Sequence, residues 1–284
     1  MDWTKAKTIL IIAFIITNAF LFYNLEKGSG FSENIPAVSE KTTEDVEEIL
    51  ESRGISLDGG IPTKTPEVAS LEVGYSSVDA EAAAKSFLGE FKLVDDVYES
   101  GKEKLMVIDG KRLIYENGLM NAGAESDHES AKTMAEEFLA EKGYSIEDAI
   151  LDGIENKNGF VELKYVQSQK GLPLENGRMT IMVSGSGVAG FDRIWMEVFS
   201  EGESARKVIP ATKALLMAAE PLKESGGKEI SKIVLTYLFD TKKTSLSKWQ
   251  NIKSGTALPV WRIDLQNGSI SIYVDAYEGI VISN

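Results

Sequence analysis

The longest uninterrupted apolar stretch of the chain lies near the N-terminus, where no residue from 8 to 25 is charged. At a rise of about 1.5 Å per residue, a helix of about 18 residues is just long enough to cross the hydrocarbon core of a bilayer. Lys5 and Lys7 precede the stretch, and positive residues favour the cytoplasmic side. Residues 1–25 are therefore predicted to form a cytoplasmic tip and a single transmembrane helix in the cell membrane, with the bulk of the chain extracytoplasmic.

A cleaved signal peptide is the alternative interpretation of this stretch. Residues 9–16 would then form its apolar region, and Thr17-Asn18-Ala19 would supply the small-x-small pattern of a cleavage site. The apolar run, however, continues through residues 20–23 instead of ending at that site. This continuation favours a retained anchor.

Three residues of the predicted span are candidates for contact with a neighbouring helix. Ala13 and Thr17 are small and four residues apart, so they share one helical face and permit close approach. Asn18 carries an amide, which seeks a hydrogen-bond partner inside lipid. An ordinary anchor that tolerates two polar residues explains the same sequence equally well, so both interpretations stay open.

Beyond the span, helical and strand-like periods alternate along the chain. Residues 26–70 are interpreted as a juxtamembrane linker with a short helix that begins near Thr42 and ends before Gly54. Three further helices are expected at about residues 78–91, 126–143 and 211–223. A helix that covers one face of an antiparallel meander forms an α+β layer. The predicted fold class is therefore α+β, with an N-terminal single transmembrane helix followed by tandem units of a helix packed on an antiparallel β-meander.

Strand-like segments follow each of the three helices. In the first unit, segments 105–108 and 112–115 flank Asp109-Gly110, which is a strong signal for a hairpin turn. The later units have strand patterns at 159–166, 178–183, 188–198, 233–239, 259–265, 269–274 and 280–282. We expect residues 71–205 to form a first α+β region and residues 206–284 to form a C-terminal α+β unit.

Composition narrows the function classes. The chain of 284 residues has 44 acidic and 30 basic residues, which argues against nucleic acid as a partner because a phosphate backbone needs clustered lysine and arginine. It has no cysteine, so disulfides and thiolate sites are excluded, and His128 is its one histidine. Most histidine-based catalysis and any multi-histidine metal site are thereby removed. The sequence predicts a protein that is not an enzyme and that binds no cofactor and no metal.

Four features that could carry chemistry are better explained by structure. Residues 185–190 match the G-x-G-x-x-G pattern, but a strand pattern follows them instead of a helix, so a hairpin turn is predicted. His128 lies in the first turn of a predicted helix, where its acidic neighbours suit the helix dipole. Asp264 is expected to face solvent from a one-sided sheet, and Asp275 is expected to lie in a turn.

Aromatic residues are concentrated in the C-terminal half of the chain. Trp261 and Tyr273 are predicted to lie in neighbouring strands and to form a cross-strand pair. Packing in the core is the simpler interpretation of these aromatics. The alternative is that Trp261, Tyr273 and Tyr277 are exposed and form a surface for protein docking, because tryptophan and tyrosine make good interface anchors.

The two ends of the chain resemble a known family. The start reads Met1-Asp2-Trp3-Thr4-Lys5-Ala6-Lys7-Thr8-Ile9, and Asn18 lies late in the apolar run, as in the N-termini of YycI proteins, also called WalI. Near the other end, Leu258-Pro259-Val260-Trp261-Arg262 and Tyr273-Val274-Asp275-Ala276 are similar to the family's C-terminal hairpins, which PepSY-like modules share more loosely. The resemblance covers the whole architecture of anchor, linker and α+β domain, which it implies to be YycH/PepSY-like.

The resemblance implies a non-enzymatic regulator of the WalK–WalR (YycG–YycF) two-component system of low-GC Gram-positive bacteria. Family members work with the related membrane protein YycH, and together they contact the sensor histidine kinase, largely through transmembrane helices, and modulate cell-wall homeostasis. Ala13, Thr17 and Asn18 are the matching positions for helix contact. The alternative is an anchored PepSY-like protease inhibitor or envelope-binding module, whereas an exported hydrolase is disfavoured by the lack of histidine and cysteine.

Overall fold

The computed structural model describes residues 14, 40–118, 127–224, 229–239, 254–266 and 271–282. The chain divides into two compact units, Met1–Ser39 and Glu40–Asn284, and we call the second the folded unit. Of the first unit only Phe14 is described, as a helical residue. The predicted span, with Ala13, Thr17 and Asn18, therefore lies outside the described residues. Within the described ranges, no helix has both the length and the apolar character needed to cross a bilayer.

The described part of the folded unit contains four helices, α1 (Glu40–Ser52), α2 (Ala80–Leu88), α3 (His128–Lys142) and α4 (Ala211–Glu224). Local capping fixes where α2 and α3 begin. The carboxylate of Asp79 accepts a hydrogen bond from the Ala82 N–H (3.0 Å), and that of Asp127 accepts one from the Ser130 N–H (2.9 Å). These caps satisfy donors that have no partner in the first helical turn. At the end of α3, Gly143 takes the left-handed conformation of a C-terminal cap, with φ of 80°.

The described strands are short to medium in length and number seventeen. They are β1 (Ser56–Leu57), β2 (Glu67–Val68), β3 (Leu71–Tyr75), β4 (Lys92–Val94), β5 (Val97–Ser100), β6 (Glu103–Ile108), β7 (Arg112–Asn117), β8 (Ala149–Lys157), β9 (Phe160–Gln169), β10 (Leu172–Ser184), β11 (Gly187–Ile194), β12 (Met196–Glu201), β13 (Arg206–Lys207), β14 (Glu229–Phe239), β15 (Ser254–Leu265), β16 (Ser271–Asp275) and β17 (Val281–Ile282).

Fifteen of the described strands form one sheet, and β2 and β13 form a separate pair. The main path of the sheet runs β12-β3-β15-β14-β10-β11-β7-β6-β5-β4, while β9 joins β8 to β10 and β16 joins β17 to β15. β1 also pairs with β14. Among the described pairs only β1–β14 and β10–β14 are parallel. The predicted α+β class is confirmed, with a large and mainly antiparallel sheet.

Each of α2, α3 and α4 precedes a run of consecutively paired antiparallel strands. These meanders are β4–β7, β8–β11 and β14–β17. The meanders do not stand apart, because β10 pairs with β14 and β11 pairs with β7, which joins all three in one sheet. The division into a linker at 26–70 and α+β regions at 71–205 and 206–284 stays a prediction.

Buried apolar side chains form two clusters on this sheet. The first, which we call the α4 core, packs α1 and α4 against strands that include β14, β15 and β16, and its members include Leu50, Leu215, Phe239, Trp261 and Val274. The second, the α3 core, packs α2 and α3 against strands that include β7, β9, β10 and β11, and its members include Phe87, Leu113, Leu139, Ile181 and Phe191. The large sheet of the folded unit therefore carries two cores.

Two predicted turns can be checked directly. Asp109 and Gly110 have φ of 51° and 63°, and they connect β6 to β7 as predicted. Because Ile108 pairs with Arg112, the connection has one residue more than a two-residue turn. In the G-x-G-x-x-G segment, β10 ends at Ser184 and a strand follows, so the hairpin turn is confirmed and the helix that a nucleotide loop needs is not there.

Candidate functional site

The long strand β10 marks the place where two parts of the sheet meet. Its N-terminal part lies beside β14, with Leu174 paired to Tyr237, whereas its C-terminal part pairs with β11 from Arg178 onward. The register of β10 against β9 shifts between Leu174 and Arg178. Residues 175–177, with the sequence Glu-Asn-Gly, fill this interval. The site is built on these three residues.

Asn176 and Gly177 show how the interruption of the ladder is accommodated. Asn176 bonds to the backbone of Phe239 twice, because its Nδ2 donates to the carbonyl (3.1 Å) and its Oδ1 accepts from the N–H (2.8 Å). Gly177 runs so close to Gln167 that a Cβ atom there would lie 2.3 Å from the Gln167 Oε1. The side-chain amide thus replaces ladder bonds, and glycine gives β10 room to pass.

Arg262 on β15 lies at the centre of a buried ion-pair cluster. Its side chain is 4% exposed and faces three carboxylates. Nη1 donates to Glu175 Oε1 (2.6 Å), Nε donates to Asp264 Oδ2 (3.1 Å), and Nη2 donates to Asp152 Oδ1 (3.3 Å). We call these four residues the Arg262 cluster. The planar guanidinium has five N–H donors, so it can bond to several carboxylates at once.

Glu175 is the most deeply buried acid of the Arg262 cluster, with its side chain 2% exposed. Besides Arg262, its carboxylate accepts hydrogen bonds from the Thr236 hydroxyl (3.0 Å), the Tyr273 hydroxyl (3.4 Å) and the Arg178 guanidinium. A buried carboxylate is tolerated when its charge is paired and its lone pairs accept hydrogen bonds. Glu175 meets both conditions.

The Arg262 cluster shifts the ionisation of its members. Burial lowers the pKa of Arg262, but the charges of Glu175, Asp264 and Asp152 together raise it by more, so the pKa lies above its ordinary value. Burial, aided by the charge of Glu175, raises the pKa of Tyr273 to about 12. Neither group exchanges a proton near neutral pH. The paired charges are suited to holding strands together.

The Arg262 cluster joins strands from both cores. Asp152 on β8 and Arg178 on β10 belong to the meander that follows α3, whereas Arg262 belongs to the meander that follows α4. Lys232 on β14 adds a further bond across this junction, with its Nζ 2.9 Å from the Asp152 Oδ1. The cluster therefore links the parts of the sheet that carry the two cores.

A polar groove of about 480 Å³ lies beside the cluster. Its lining includes Lys164, Arg178 and Lys232 together with the hydroxyl-bearing Ser271. The charged groups are paired within the protein, and Lys164, for example, contacts Glu155 and Glu162. Within the described ranges, no group of three or more histidine, aspartate or glutamate residues is arranged to hold a metal ion.

The structure places the predicted aromatic residues mainly in the core. Trp261 is 2% exposed and donates its Nε1–H to the Ile209 carbonyl (2.9 Å), and Tyr273 is 7% exposed. Trp261 pairs across the strands with Val274, and Arg262 pairs with Tyr273. Because successive residues point to opposite faces of a strand, Trp261 and Tyr273 lie on opposite faces. The predicted cross-strand pair is therefore wrong.

Core packing, the simpler interpretation, holds for Trp261 and Tyr273, and their burial argues against the alternative of a docking surface formed by all three residues. Tyr277 is partly exposed, but its hydroxyl donates to the Val68 carbonyl (2.6 Å). Trp261 and Tyr273 fill space on the two sides of the sheet instead of meeting on its surface. Tyrosine and tryptophan here serve packing and hydrogen bonding within the fold.

The predictions for the three polar candidates have different outcomes. Asp264 does not simply face solvent, because it accepts hydrogen bonds from Arg262 and from the Ser271 hydroxyl (2.7 Å). Asp275 is the last residue of β16, next to the turn in which it was predicted, and its carboxylate accepts from the Tyr277 N–H (2.8 Å) in that turn. His128 is exposed at the first position of α3, as expected for a residue of a helix start.

With the fold and the site in place, the chain can be compared with known proteins. A family model described as "YycI protein" matches residues 33–277, which is most of the chain. The chain belongs to the YycI family. The resemblance inferred from the two ends of the sequence is thereby confirmed. The YycI family is a regulatory family that is linked to the WalK/YycG two-component system.

Two solved structures align with this YycI-family chain at low sequence identity. An uncharacterized protein from Eubacterium rectale ATCC 33656 aligns with a TM-score of 0.53 and 11% identity, over 81% of this chain and 90% of that one. The Bacillus megaterium YpeB C-terminal domain aligns with a TM-score of 0.38 and 11% identity, over 87% of this chain and 96% of that one. The first similarity concerns the fold alone. No curated protein matches the chain.

The Arg262 cluster of this YycI-family chain predicts a response to acid through Asp152. Burial raises the pKa of Asp152, but the hydrogen bond from Lys232 and the charges of Arg262 and Lys232 lower it by more, so its pKa lies below the ordinary value. A carboxylate with a depressed pKa stabilises the fold above its unfolded pKa of about 3.9, and this stability is lost as the pH falls through the folded pKa.

We therefore expect Asp152→Asn to lower the free energy of unfolding at pH 7 and to lower it progressively less below about pH 4. Urea unfolding of the wild type and the variant at several pH values measures this difference. Asp58→Asn serves as the control, because Asp58 is exposed and lies outside the cluster. A gap between wild type and Asp152→Asn that stays constant from pH 7 to about pH 3 would contradict the assignment.

Proposed function

We propose that this chain is a membrane-anchored, non-enzymatic regulator that acts with a YycH-like partner on a WalK/YycG-type sensor histidine kinase. In this role it modulates two-component signalling for cell-wall homeostasis. The observation that carries the proposal is the family match over residues 33–277, which extends from before α1 to beyond β16. The charged residues of the candidate site support it, because they bind one another and build a scaffold.

The anchor belongs to the same proposal. Residues 8–25 are uncharged, and Lys5 and Lys7 precede them, which supports a single span with a cytoplasmic N-terminus. The folded unit would then lie outside the cytoplasm at the cell membrane. We propose that regulatory contact with the kinase and the YycH-like protein is made through this span, where Ala13, Thr17 and Asn18 provide a small face and a polar group.

The proposal also gives the folded unit a role, which depends on the link between its two cores. The Arg262 cluster connects the meanders of the two cores through a cation that contacts three acids. Buried ion pairs of this kind favour one arrangement of the strands over others, because a shifted strand leaves a buried charge unpaired. The cluster would therefore keep both cores in one body.

We expect Asn18→Leu to weaken co-purification of the kinase and the YycH-like protein from detergent-solubilised membranes. The loss of one interhelical hydrogen bond is worth about 1 kcal/mol, which corresponds to about a fivefold change in affinity. Ala13→Leu should have a similar effect, because a bulky side chain blocks the approach of a neighbouring helix. Membrane insertion of the Asn18→Leu protein should be retained, since a polar group leaves the hydrocarbon.

Ile12→Leu is the control, because residue 12 is turned by about 100–140° from residues 13, 17 and 18 on an ideal helix and so lies off the proposed contact face. It should co-purify the partners as the wild type does. The proposal fails if the partners co-purify equally with the wild type and with a variant in which an unrelated apolar span replaces residues 8–25. In that case the contact would lie in the folded unit.

A further inference from the structure

The arginines of the chain differ sharply in their partners. The chain contains six arginines, and five of them contact a carboxylate within the described residues. These five pairs are Arg53–Glu220, Arg112–Asp192, Arg178–Glu175, Arg206–Glu278 and the contacts of Arg262. Arg193 is the exception, because none of its guanidinium nitrogens has a hydrogen bond or ion pair in the described part of the chain. In a protein with 44 acidic residues, an arginine without an acid is unusual.

Arg193 is held by two aromatic rings. Its guanidinium carbon lies 4.9 Å from the centre of the Tyr144 ring and 4.6 Å from the centre of the Trp195 ring. On β11 it pairs with Met179 and Leu113, both of which are buried in the α3 core. Stacking on aromatic rings restricts the rotamers of the long side chain. The planar fork of Arg193 is therefore oriented before any ligand arrives.

Asp148, the acid whose charge acts on Arg193, already accepts hydrogen bonds from other residues. The Asp148 carboxylate accepts the Trp195 Nε1–H (2.9 Å) and is 3.4 Å from the Gln167 Nε2. Burial lowers the pKa of Arg193. The charges of Tyr144 and Asp148 raise it by less, so the pKa lies below its ordinary value. The residue nevertheless stays partly exposed, so it is not sealed from solvent. A partly desolvated cation without an acceptor gains more from an anion than a fully hydrated one does.

We propose that Arg193, clamped between Tyr144 and Trp195, binds a carboxylate carried by a peptide, either a chain terminus or an acidic side chain of a partner. The planar fork of a guanidinium matches a carboxylate in two parallel hydrogen bonds. Phosphate is a poorer ligand for Arg193, because it carries up to two negative charges. The acidic Glu147 and Asp148, which follow Tyr144 closely in sequence, repel a doubly charged anion more than a carboxylate. This site is separate from the Arg262 cluster and independent of contacts made by the predicted span.

The full-length chain, labelled with ¹⁵N in arginine only, offers a direct test. Its six arginines give six Nε–H signals, which single Arg→Lys variants assign. N-acetyl-leucine supplies a terminal carboxylate, and N-acetyl-glutamic acid α-amide supplies a side-chain carboxylate. N-acetylglutaminamide, in which that side-chain carboxylate is an amide, is the neutral counterpart of the second compound. N-acetyl-leucinamide and inorganic phosphate complete the set. We expect the Arg193 signal to shift with at least one carboxylate in the millimolar range, and not with the neutral amides.

Arg206 provides the matched internal control. It also stacks on an aromatic ring, with its guanidinium carbon 4.5 Å from the centre of the Tyr277 ring, but it is paired with Glu278 (3.0 Å). Its signal should not move. Arg193→Lys keeps the charge but loses the fork, and it should weaken carboxylate binding about tenfold, as read from the indole Nε1–H signal of Trp195 in a second sample labelled with ¹⁵N in tryptophan. Arg206→Lys should leave that binding unchanged.

The outcomes separate the alternatives. A shift with N-acetyl-leucine alone identifies a chain terminus, and a shift with the glutamate derivative alone identifies an acidic side chain. Equal shifts with acids and neutral amides, or equal shifts at Arg193 and Arg206, would overturn the proposal. So would the absence of any shift up to about 20 mM, or a tighter response to phosphate than to either carboxylate.

Discussion

Replacing Phe87 with alanine is expected to lower the free energy of unfolding by about 3–5 kcal/mol. Phe87 on α2 is 6% exposed and lies at the centre of an aromatic group in the α3 core. Its ring centre is 5.2 Å from that of Tyr115, 5.8 Å from that of Phe191 and 5.9 Å from that of Phe138. Truncation removes apolar burial and these ring contacts together, and it leaves a cavity that rigid neighbours do not fill.

Urea unfolding of the full-length chain measures this loss. Phe199→Ala is the matched control, because Phe199 is the same residue type but is 55% exposed on β12. We expect that substitution to change stability by no more than about 0.5 kcal/mol. Equal effects of the two substitutions would mean that Phe87 does not pack as described.

The helices could be predicted well because their signals are local. The predicted segments at 126–143 and 211–223 correspond to α3 (His128–Lys142) and α4 (Ala211–Glu224). The capping Asp127 and the left-handed Gly143 lie directly at the ends of α3, so both signals can be seen in the local sequence. The same holds for the turn at Asp109-Gly110, where two positive φ angles favour these residue types.

Strand β8, which carries Asp152, was not predicted from the sequence. Its residues from Ala149 to Ile154 are all of intermediate burial, so no apolar–polar alternation marks them. The partners of Arg262 are also distant in sequence, at separations of 87 residues for Glu175 and 110 for Asp152. Arg262 and Asp264 alternate with the apolar Trp261, Ile263 and Leu265, a pattern that by itself favours a solvent-facing position for both charges. No local signal therefore marked the cluster.

The aromatic pair failed for a different reason. Both strands were predicted, but their register was not, and a shift by one residue moves every side chain to the opposite face. The pairing of Trp261 with Val274 places Tyr273 beside Arg262 and toward Glu175. The error in register therefore also concealed the Arg262 cluster, because Tyr273 and Arg262 share a face only in the observed register.

Arg262→Ala is expected to lower the free energy of unfolding by about 3–5 kcal/mol, through a cause different from that of Phe87→Ala. Removal of the guanidinium leaves Glu175 buried with much of its charge uncompensated, and it takes away a hydrogen-bond donor from Asp264 and Asp152. The cost comes from the stranded charge more than from lost apolar contact. Arg206→Ala, which removes an exposed pair with Glu278, should cost no more than about 1 kcal/mol.

The cause can be separated from simple loss of packing by a second substitution. Glu175→Gln removes the stranded charge but keeps one oxygen, which can accept from Thr236 or from Tyr273. The Arg262→Met, Glu175→Gln protein should therefore recover most of the stability lost in Arg262→Ala, because buried pairs can often be exchanged for uncharged groups at little cost. If the double variant is as unstable as Arg262→Ala, the cation itself, and not charge balance, holds β10 to β15.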